Sequence, residues 1–440
     1  MQKSQDIHFD FSNKISLNFD GGEMSSYSGM TLIHEFCEKL GVKKSLQKHL
    51  PELREGVREY EKPEMLYQKL MRIIVGLASD NHAKFLEKDP VFQQIHNQSI
   101  ASGSTCNRLE QSFSFDDAHG LQDVQKEILE YTFKHFLPKE VCLDLDTTYD
   151  PASENLYGSH FNGHYDTTGF SPLVCFDGMT GDFVKGMLRP GNHYCSRNIA
   201  KFLEPILKDY KRRGVLIKVR GDSGFACPEK YEVCEKYGAI YYTKLKNNAL
   251  LKRKFEELLT DEIIRNRESV WSSFSYQAKS WKHPRRVLGR IQWNEGQLFP
   301  VCSAIVTNDE TCTPEDGFQF YNGRAGIEGL IEEGKNGFSW DHLSHKSFEA
   351  NATEFQLFLL AVQVVQLLRR LSLPNTKPPT GKNKRKSLPT IQTIRQRFIF
   401  IAGRLIHSAR KLIFKCSSSF PFQDLFLRTL GNIQALPRPG

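Results

Sequence analysis

The chain has 440 residues, 39 % of them apolar, enough for a large core and for two or three domains. No long apolar run opens it, so no secretory signal is read, and the most apolar stretch, Phe355 to Leu368, is too short and too rich in glutamine to span a bilayer. The net charge of +8 is unevenly placed: Phe355 to Gln423 holds 13 basic residues and no Asp or Glu, while the other 46 basic residues face 51 acidic ones, and a one-signed stretch of this kind suits a polyanion.

Residues 1–28 read as irregular. From Thr31 to Leu137 the apolar spacing is mostly helical. Within it, Ser102 to Glu110 resembles a recognition helix: Ser104 or Thr105 would cap it, and Asn107 and Arg108 would lie in the first turn, where a helix-turn-helix protein meets the major groove. At Val141 the texture changes to strand alternation, with Val141, Leu143 and Leu145 on one face and Cys142, Asp144 and Asp146 on the other. Pro172 to Asp177 and Phe183 to Arg189 form a hairpin across Gly178 to Gly181. A helix (Ser196 to Lys211), a strand (Val215 to Arg220), a helix opened by Pro228 and a strand (Gly238 to Lys246) follow.

The order β-β-β-α-β-α-β is that of a ribonuclease H-like core, in which the first and fourth strands are neighbours, so Asp146 and Asp222 converge. Residues 248–304 then supply a β-rich insertion. It carries Trp271, Trp281 and Trp293, and Trp281 is a candidate to receive an unstacked base. Arg285 and Arg286 suit phosphate contacts. A breaker-rich basic run from Asn375 to Ser387 contains Lys382, Lys384, Arg385 and Lys386. Alternating basic and apolar residues from Ile391 to Phe414 predict an amphipathic helix with a basic face. The fold class is therefore α/β, with a helical N-terminal region (1–137) for DNA binding or dimerisation, a core in two parts (138–247 and 305–374) around the insertion, and a basic helical C-terminal region (375–440).

Tyr321, Arg324, Glu328 and Lys335 are spaced Tyr-x2-Arg-x3-Glu-x6-Lys. On a helix they fall within an arc of about 60°, beside a separate apolar stripe of Ile327, Leu330 and Ile331. Two strand-end aspartates and a helical glutamate are the donors that hold two metal ions for phosphoryl transfer on a nucleic acid backbone. Gly323, Gly326, Gly329 and Gly334 weaken this helix by about 1 kcal/mol each relative to Ala. The ten cysteines are scattered without a C-x-x-C pair, which argues against a zinc ribbon and fits a reducing compartment. His160, His164 and His193 lie near Cys175 and Cys195 in sequence but lack zinc-ligand spacing.

With its Tyr-Arg-Glu-Lys signature, the chain resembles bacterial insertion-sequence transposases of the DDE superfamily, and most of all the insertion-sequence family numbered thirteen-eighty. The resemblance covers nearly the whole chain through Ser104-Thr-x-x-Arg-Leu-Glu110, Asp144-Leu-Asp-Thr-Thr148, Asn162-Gly-His-Tyr165, Leu188-Arg-Pro-Gly-Asn192, Arg220-Gly-Asp-Ser-Gly-Phe225 and the signature itself. It implies a Mg²⁺-dependent cut-and-paste nuclease and strand transferase, Mn²⁺ substituting, that binds terminal inverted repeats and target DNA as a homodimer in a synaptic complex. It also implies a bacterial, nucleoid-associated cytoplasmic setting. Asp146, Asp222 and Glu328 would be catalytic and metal-binding, with Asp144 kept as an alternative first ligand. Tyr321, Arg324 and Lys335 would contact DNA phosphate. A catalytically inactive DNA-binding derivative is the alternative, and none of the three acids is lost.

Overall fold

The computed structural model describes residues 7–51, 59–163, 165–373, 388–408 and 411–438. His164 and the basic run with Lys382, Lys384, Arg385 and Lys386 lie outside the described residues. The chain packs as two compact units. One comprises the described residues of Met1–Ile128, Leu367–Pro374 and Pro389–Gly440; the other comprises those of Leu129–Gln366 and Asn375–Leu388.

The N-terminal part opens with β1 (Ile7–Phe9), β2 (Ser12–Leu17) and β3 (Met24–Ser25), so the first 28 residues are not irregular throughout. Among the described residues six α-helices follow: α1 (Met30–Leu40), α2 (Val42–His49), α3 (Lys62–Val75), α4 (Pro90–His96), α5 (Gly103–Glu110) and α6 (Phe115–Phe136). Helical periodicity announced this run.

The second unit is built on β4 (Glu140–Thr147), β5 (Asp150–Pro151), β6 (His160–Asn162), β7 (Thr167–Phe170), β8 (Leu173–Asp177), β9 (Phe183–Met187), α7 (Ile199–Arg212), β10 (Leu216–Gly221), α8 (Pro228–Tyr237) and β11 (Ile240–Leu245). It continues with α9 (Ala249–Glu256), α10 (Asp261–Asn266), β12 (Val270–Tyr276), β13 (Arg285–Gln292), β14 (Val301–Thr307), α11 (Pro314–Asn322), α12 (Gly326–Phe338) and, up to Gln366, α13 (Phe348–Ser372). Eight strands form one sheet in the order β12-β13-β14-β11-β10-β4-β8-β9, and β5, β7 and β6 form a small second sheet. β14 pairs antiparallel with β11, so the β-rich stretch after residue 248 extends the main sheet rather than folding apart from it.

Apolar alternation explains the core. Val141, Leu143 and Leu145 of β4 and Ile217 and Val219 of β10 are buried in one cluster with Phe202, Leu203 and Leu207 of α7 and Tyr231 of α8. Near the sheet's far edge, Gln356 Nε2 of α13 donates to Gly186 O of β9 at 2.9 Å, and Phe183 N donates to Gln366 Oε1 at 2.6 Å. α13 has 25 residues, longer than the apolar stretch read from sequence, and is long and apolar enough to cross a membrane; its apolar window is nevertheless wholly buried in the protein. Glutamines that argue against a membrane span thus satisfy backbone groups of a sheet edge.

The C-terminal part departs from expectation. α14 (Ile391–Ile394) runs into a π-helical turn (Arg395–Ile399) and then an antiparallel hairpin, β15 (Gly403–Ser408) with β16 (Lys411–Cys416), before α15 (Gln423–Ala435). The described residues between Ile391 and Phe414 form no continuous amphipathic helix. Leu405 is buried at strand spacing and β15 pairs with β3, so a second partner strand decides the period. Arg395 is itself buried and donates to Ile73 O and Ile74 O at the end of α3, a structural use of a residue expected on a basic face.

One buried contact joins the strands that matter most. In parallel register, Arg220 of β10 stands opposite Asp144 of β4. Its Nε and Nη2 donate to Asp144 Oδ1 and Oδ2 at 2.6 and 2.7 Å, and Nη1 donates to Phe320 O in α11 at 2.6 Å. Burial pulls the Arg220 pKa down, but its bonds to Asp144 outweigh that and hold it above the usual value. Gly178 and Gly323 make room on two sides: a Cβ on Gly178 would stand 2.1 Å from Asp144 Oδ2, and one on Gly323 would stand 2.5 Å from Arg220 Nη1. Arg220→Met is expected to leave a buried carboxylate without its partner and to cost about 3–5 kcal/mol, whereas the double variant Asp144→Leu/Arg220→Met should recover most of it. Thermal melts of the three proteins check this.

Candidate active site

Strand register places the first two acids. Asp146 and Asp222 lie two residues beyond the paired Asp144 and Arg220, on adjacent parallel strands about 4.8 Å apart. Asp146 is the penultimate residue of β4, its Oδ1 accepting from Thr147 N at 2.8 Å. Asp222 follows β10 and caps a 3₁₀ turn, its Oδ1 accepting from Gly224 N at 2.8 Å. Both are half-buried, and Glu328, in the first turn of α12, is exposed. Burial pushes the Asp146 pKa up to about 6; the charges of Asp222 and Glu328 add to the rise, while Arg324 and the Thr147 N–H oppose it. Asp146 therefore senses both other carboxylates, although the ligand atoms of the three are not all within 4.8 Å of one another.

The signature is not one continuous α-helix. A 3₁₀ turn at Gly323–Ala325 separates α11 from α12, because Gly323 must lie against Arg220. Gly334 likewise leaves room for the Trp340 ring, 2.4 Å from where a Cβ would stand. Arg324 and Lys335 nonetheless both reach the end of β4 and the residues just after it. Arg324 Nη2 lies 3.0 Å from Asp146 Oδ1 and 3.2 Å from Leu145 O. Lys335 Nζ lies 3.0 Å from Asp150 Oδ1 and donates to Tyr149 O at 2.5 Å. Tyr321 is half-buried, and its pKa is pushed up to about 12 by burial first, then by the charges of Asp222 and Asp146, with Arg324 opposing. The cations expected on DNA phosphate are engaged within the protein here, one on a site carboxylate and one on its neighbouring segment.

Several expectations are corrected. Asp144 is buried, and Arg220 takes both its oxygens, so it is a structural anion rather than an alternative metal ligand. Trp281 is buried and packed edge-on against Tyr231 and Tyr276, a core use rather than the exposed ring expected for stacking. Arg285 is buried over the Tyr231 and Trp281 rings and bonded to both oxygens of Glu235. Arg286 is committed to Ser273 Oγ, Asp309 O and Cys312 O. Ser102, not Ser104 or Thr105, caps α5, which moves Asn107 and Arg108 into its second turn, where both are exposed.

Other residues at the site were given no role there from the sequence. Lys230 is fully buried near the end of β10: its Nζ donates to Thr243 Oγ1 at 2.7 Å and would stand 2.9 Å from a Cβ on Gly221. Burial pulls its pKa down to about 8, with Asp222 opposing. Cys195 Sγ lies 3.1 Å from Thr147 Oγ1 and would stand 2.8 Å from a Cβ on Gly224. Tyr165 stacks on Tyr149 at 4.7 Å, and its pKa is raised by burial and then by the charges of Cys195, Asp146 and Asp222. Only Tyr165 lay in a quoted motif; no residue spacing pointed to Lys230 or Cys195.

The Trp281 correction carries a test. Trp281→Ala should cost about 3–5 kcal/mol through the cavity it opens. Denaturant unfolding measures the loss, and DNA affinity under conditions where the variant stays folded should be unchanged.

The sequence matches the family described as Transposase DDE domain group 1 over residues 7–438. No curated protein matches it. Among solved structures it is similar to the piggyBac transposase in a cryo-EM synaptic complex with hairpin DNA, at 10 % identity and a TM-score of 0.42, over 93 % of this chain and 82 % of that one. The match over nearly its whole length shows that the chain belongs to the transposase DDE domain group 1 family.

Proposed function

We propose that this chain is a DNA transposase that binds the terminal inverted repeats of its own insertion sequence, cleaves the ends by divalent-metal-dependent phosphoryl transfer and joins them to target DNA. The observation that carries the reading is the register of β4 and β10, which sets Asp222 beside Asp146, together with the Glu328 charge felt at Asp146. The catalytic core is read as ribonuclease H-like, since β4 runs between a parallel β10 and an antiparallel β8–β9 hairpin.

A divalent cation fits these residues. Burial first, and then the charges of Asp222 and Glu328, disfavour the ionised form of Asp146, a cost that a bound cation offsets, and hard oxygen donors suit Mg²⁺ or Mn²⁺. Asp146, Asp222 and Glu328 would hold it; when bound, it polarises the scissile phosphate and makes an attacking oxygen more nucleophilic at neutral pH. The chain's own groups orient this set. The Thr147 and Gly224 N–H groups fix one oxygen each of Asp146 and Asp222. Arg324 supplies a fixed positive charge at Asp146 and is placed to meet phosphate charge. Lys335, bonded to Asp150 and to Tyr149 O, ties α12 to the segment after β4 and so positions Glu328. Asn107, Arg108 and the cations of the C-terminal part are assigned to DNA outside the cleavage site, and the working form is a homodimer.

Asp222→Asn and Glu328→Gln should each reduce cleavage of the element's ends to background in Mg²⁺ while leaving inverted-repeat binding within about twofold. The amides keep the side-chain shape and remove the charge that a metal requires. Gel assays of cleavage and of binding on the same DNA ends test both halves, and near wild-type cleavage by either variant rules the assignment out.

A further inference from the structure

A row of cations continues from the carboxylates along the same end of the main sheet. In the parallel pairing of β10 with β11, Gly221 stands opposite Thr243, so the next residues, Asp222 and Lys244, are neighbours on strands about 4.8 Å apart. Alternation sets the face. Tyr241 and Leu245 are buried in the cluster that contains Leu143 and Leu145, whereas Tyr242 is buried on the other face with Leu288, Ile305 and Phe318. Lys244, and Lys246 one step past the strand, thus share the face of Asp144 and Asp146. Antiparallel pairing carries the row onward. Lys244 stands opposite Ile305 of β14, and two residues nearer the same sheet end Arg290 of β13 stands between Ser303 of β14 and Trp271 of β12. From β4 to β12 the row crosses roughly 24 Å, about seven base-pair steps of a duplex.

These cations differ from those already described. Arg220, Arg285, Arg286, Arg324 and Lys335 all spend donors inside the protein. Lys244 and Lys246 are exposed, and among the described residues neither has a hydrogen bond or an ion pair. Arg290 is half-buried, its guanidinium 5.7 Å from the Trp271 ring centre and 5.0 Å from that of Phe318. Its buried Nε has no hydrogen-bond partner. The two rings hold the guanidinium in place and leave its donors without an acceptor.

The strands beneath the row carry one sign of charge: β11, β12, β13 and β14 contain no Asp or Glu. Acids do lie around them. Glu268 precedes β12 and accepts from Asn266 Nδ2, and Glu295 follows β13. Glu256 and Glu257 belong to the α9 segment, whose Leu251 and Phe255 pack into the opposite face, and Lys254 holds Glu257. Glu315 and Asp316 open α11, where Thr313 Oγ1 donates to Asp316. Among the described residues none of these acids is ion-paired to Lys244, Lys246 or Arg290.

We propose that Lys244, Lys246 and Arg290 bind backbone phosphates of a DNA duplex that runs from the carboxylates across the β14-β13-β12 end of the sheet. Strand register fixes their spacing, and cations without counter-ions beside a phosphoryl-transfer site fit a polyanion. The row offers no free stacking surface, since Phe318 is buried and Trp271 carries Arg290 on its ring. It therefore suits the outside of a duplex better than unpaired bases. The proposal rests on reading the carboxylates as a DNA-cleaving site.

The test uses the full-length chain in EDTA, so that binding is measured without cleavage. Fluorescence anisotropy across a salt series reports affinity for a labelled twelve-base-pair mixed-sequence duplex and for an oligothymidine of the same length. Each phosphate contact contributes about 0.9 to the duplex salt slope, so Lys244→Gln/Lys246→Gln should flatten it by about 1.8, and adding Arg290→Met by about 0.9 more. A fourfold rise in salt should then cost the wild type about twelvefold more duplex affinity than the double lysine variant. Lys252→Gln/Arg253→Gln removes the same charge from exposed positions of α9 and should leave the slope within about 0.3 of wild type. An unchanged duplex slope in the double lysine variant, equal flattening by the α9 variant, or flattening on oligothymidine alone overturns the proposal. Retained end cleavage by Asp222→Asn would instead overturn the carboxylate reading and leave the salt slopes intact.

Discussion

Arg220 donates to both oxygens of Asp144 between two adjacent parallel strands, and its third donor reaches the carbonyl of Phe320. This contact fixes three things together: the register of β10 on β4, the approach of α11, and so the start of the helix that carries Glu328. A slip of one residue in β10 would turn Asp222 away from Asp146, since side chains alternate between the two faces of a sheet. A buried ion pair is often no more stabilising than an apolar pair of equal volume. Its value here is specific: an arginine without its carboxylate, or a carboxylate without its arginine, is costly in only the wrong registers. Gly178 and Gly323 belong to the same device, because any side chain at either position would collide with the pair.

The site built on this frame is electrostatically unfavourable by itself. Asp146 is partly removed from water and faces two other carboxylates, and its pKa rises accordingly. Arg324 offsets part of that repulsion, and Lys335 offsets the burial of Asp150, which raises that acid's pKa to about 7. The signature cations thus serve first as internal counter-charges. Their proposed contact with DNA phosphate adds to this arrangement, since a guanidinium beside Asp146 keeps donors in more than one direction.

Much of this was legible in the sequence because it follows from period and order. Alternation in β4 placed Asp144 and Asp146 on one face, and the β-β-β-α-β-α-β order placed Asp222 beside them. The spacing of Tyr321, Arg324, Glu328 and Lys335 grouped these residues on one face, but as contacts for DNA phosphate; that Arg324 and Lys335 reach the end of β4 is seen only in the structure. What stayed hidden depended on tertiary contact. Asp144 and Asp146 have the same orientation and differ only in whether an arginine from the next strand reaches them. Arg285, Arg286 and Trp281 look like a nucleic acid contact until Glu235, Tyr231 and the Asp309 loop close over them. The C-terminal hairpin was read as a helix because basic and apolar residues alternate there loosely enough for either period, and pairing with β3 decides it. Lys230 reaches the site from a helix whose local sequence carries no chemical signal, and Cys195 was weighed only as a zinc ligand without supporting spacing.

The central claim is that Asp146, Asp222 and Glu328 form one metal-binding group. Anomalous diffraction from crystals soaked in Mn²⁺ tests it most directly. The account predicts a peak within coordination distance of Asp146 and Asp222, lost from crystals of Asp222→Asn. Mn²⁺ bound elsewhere, with Arg324 still on an unliganded Asp146, would contradict it.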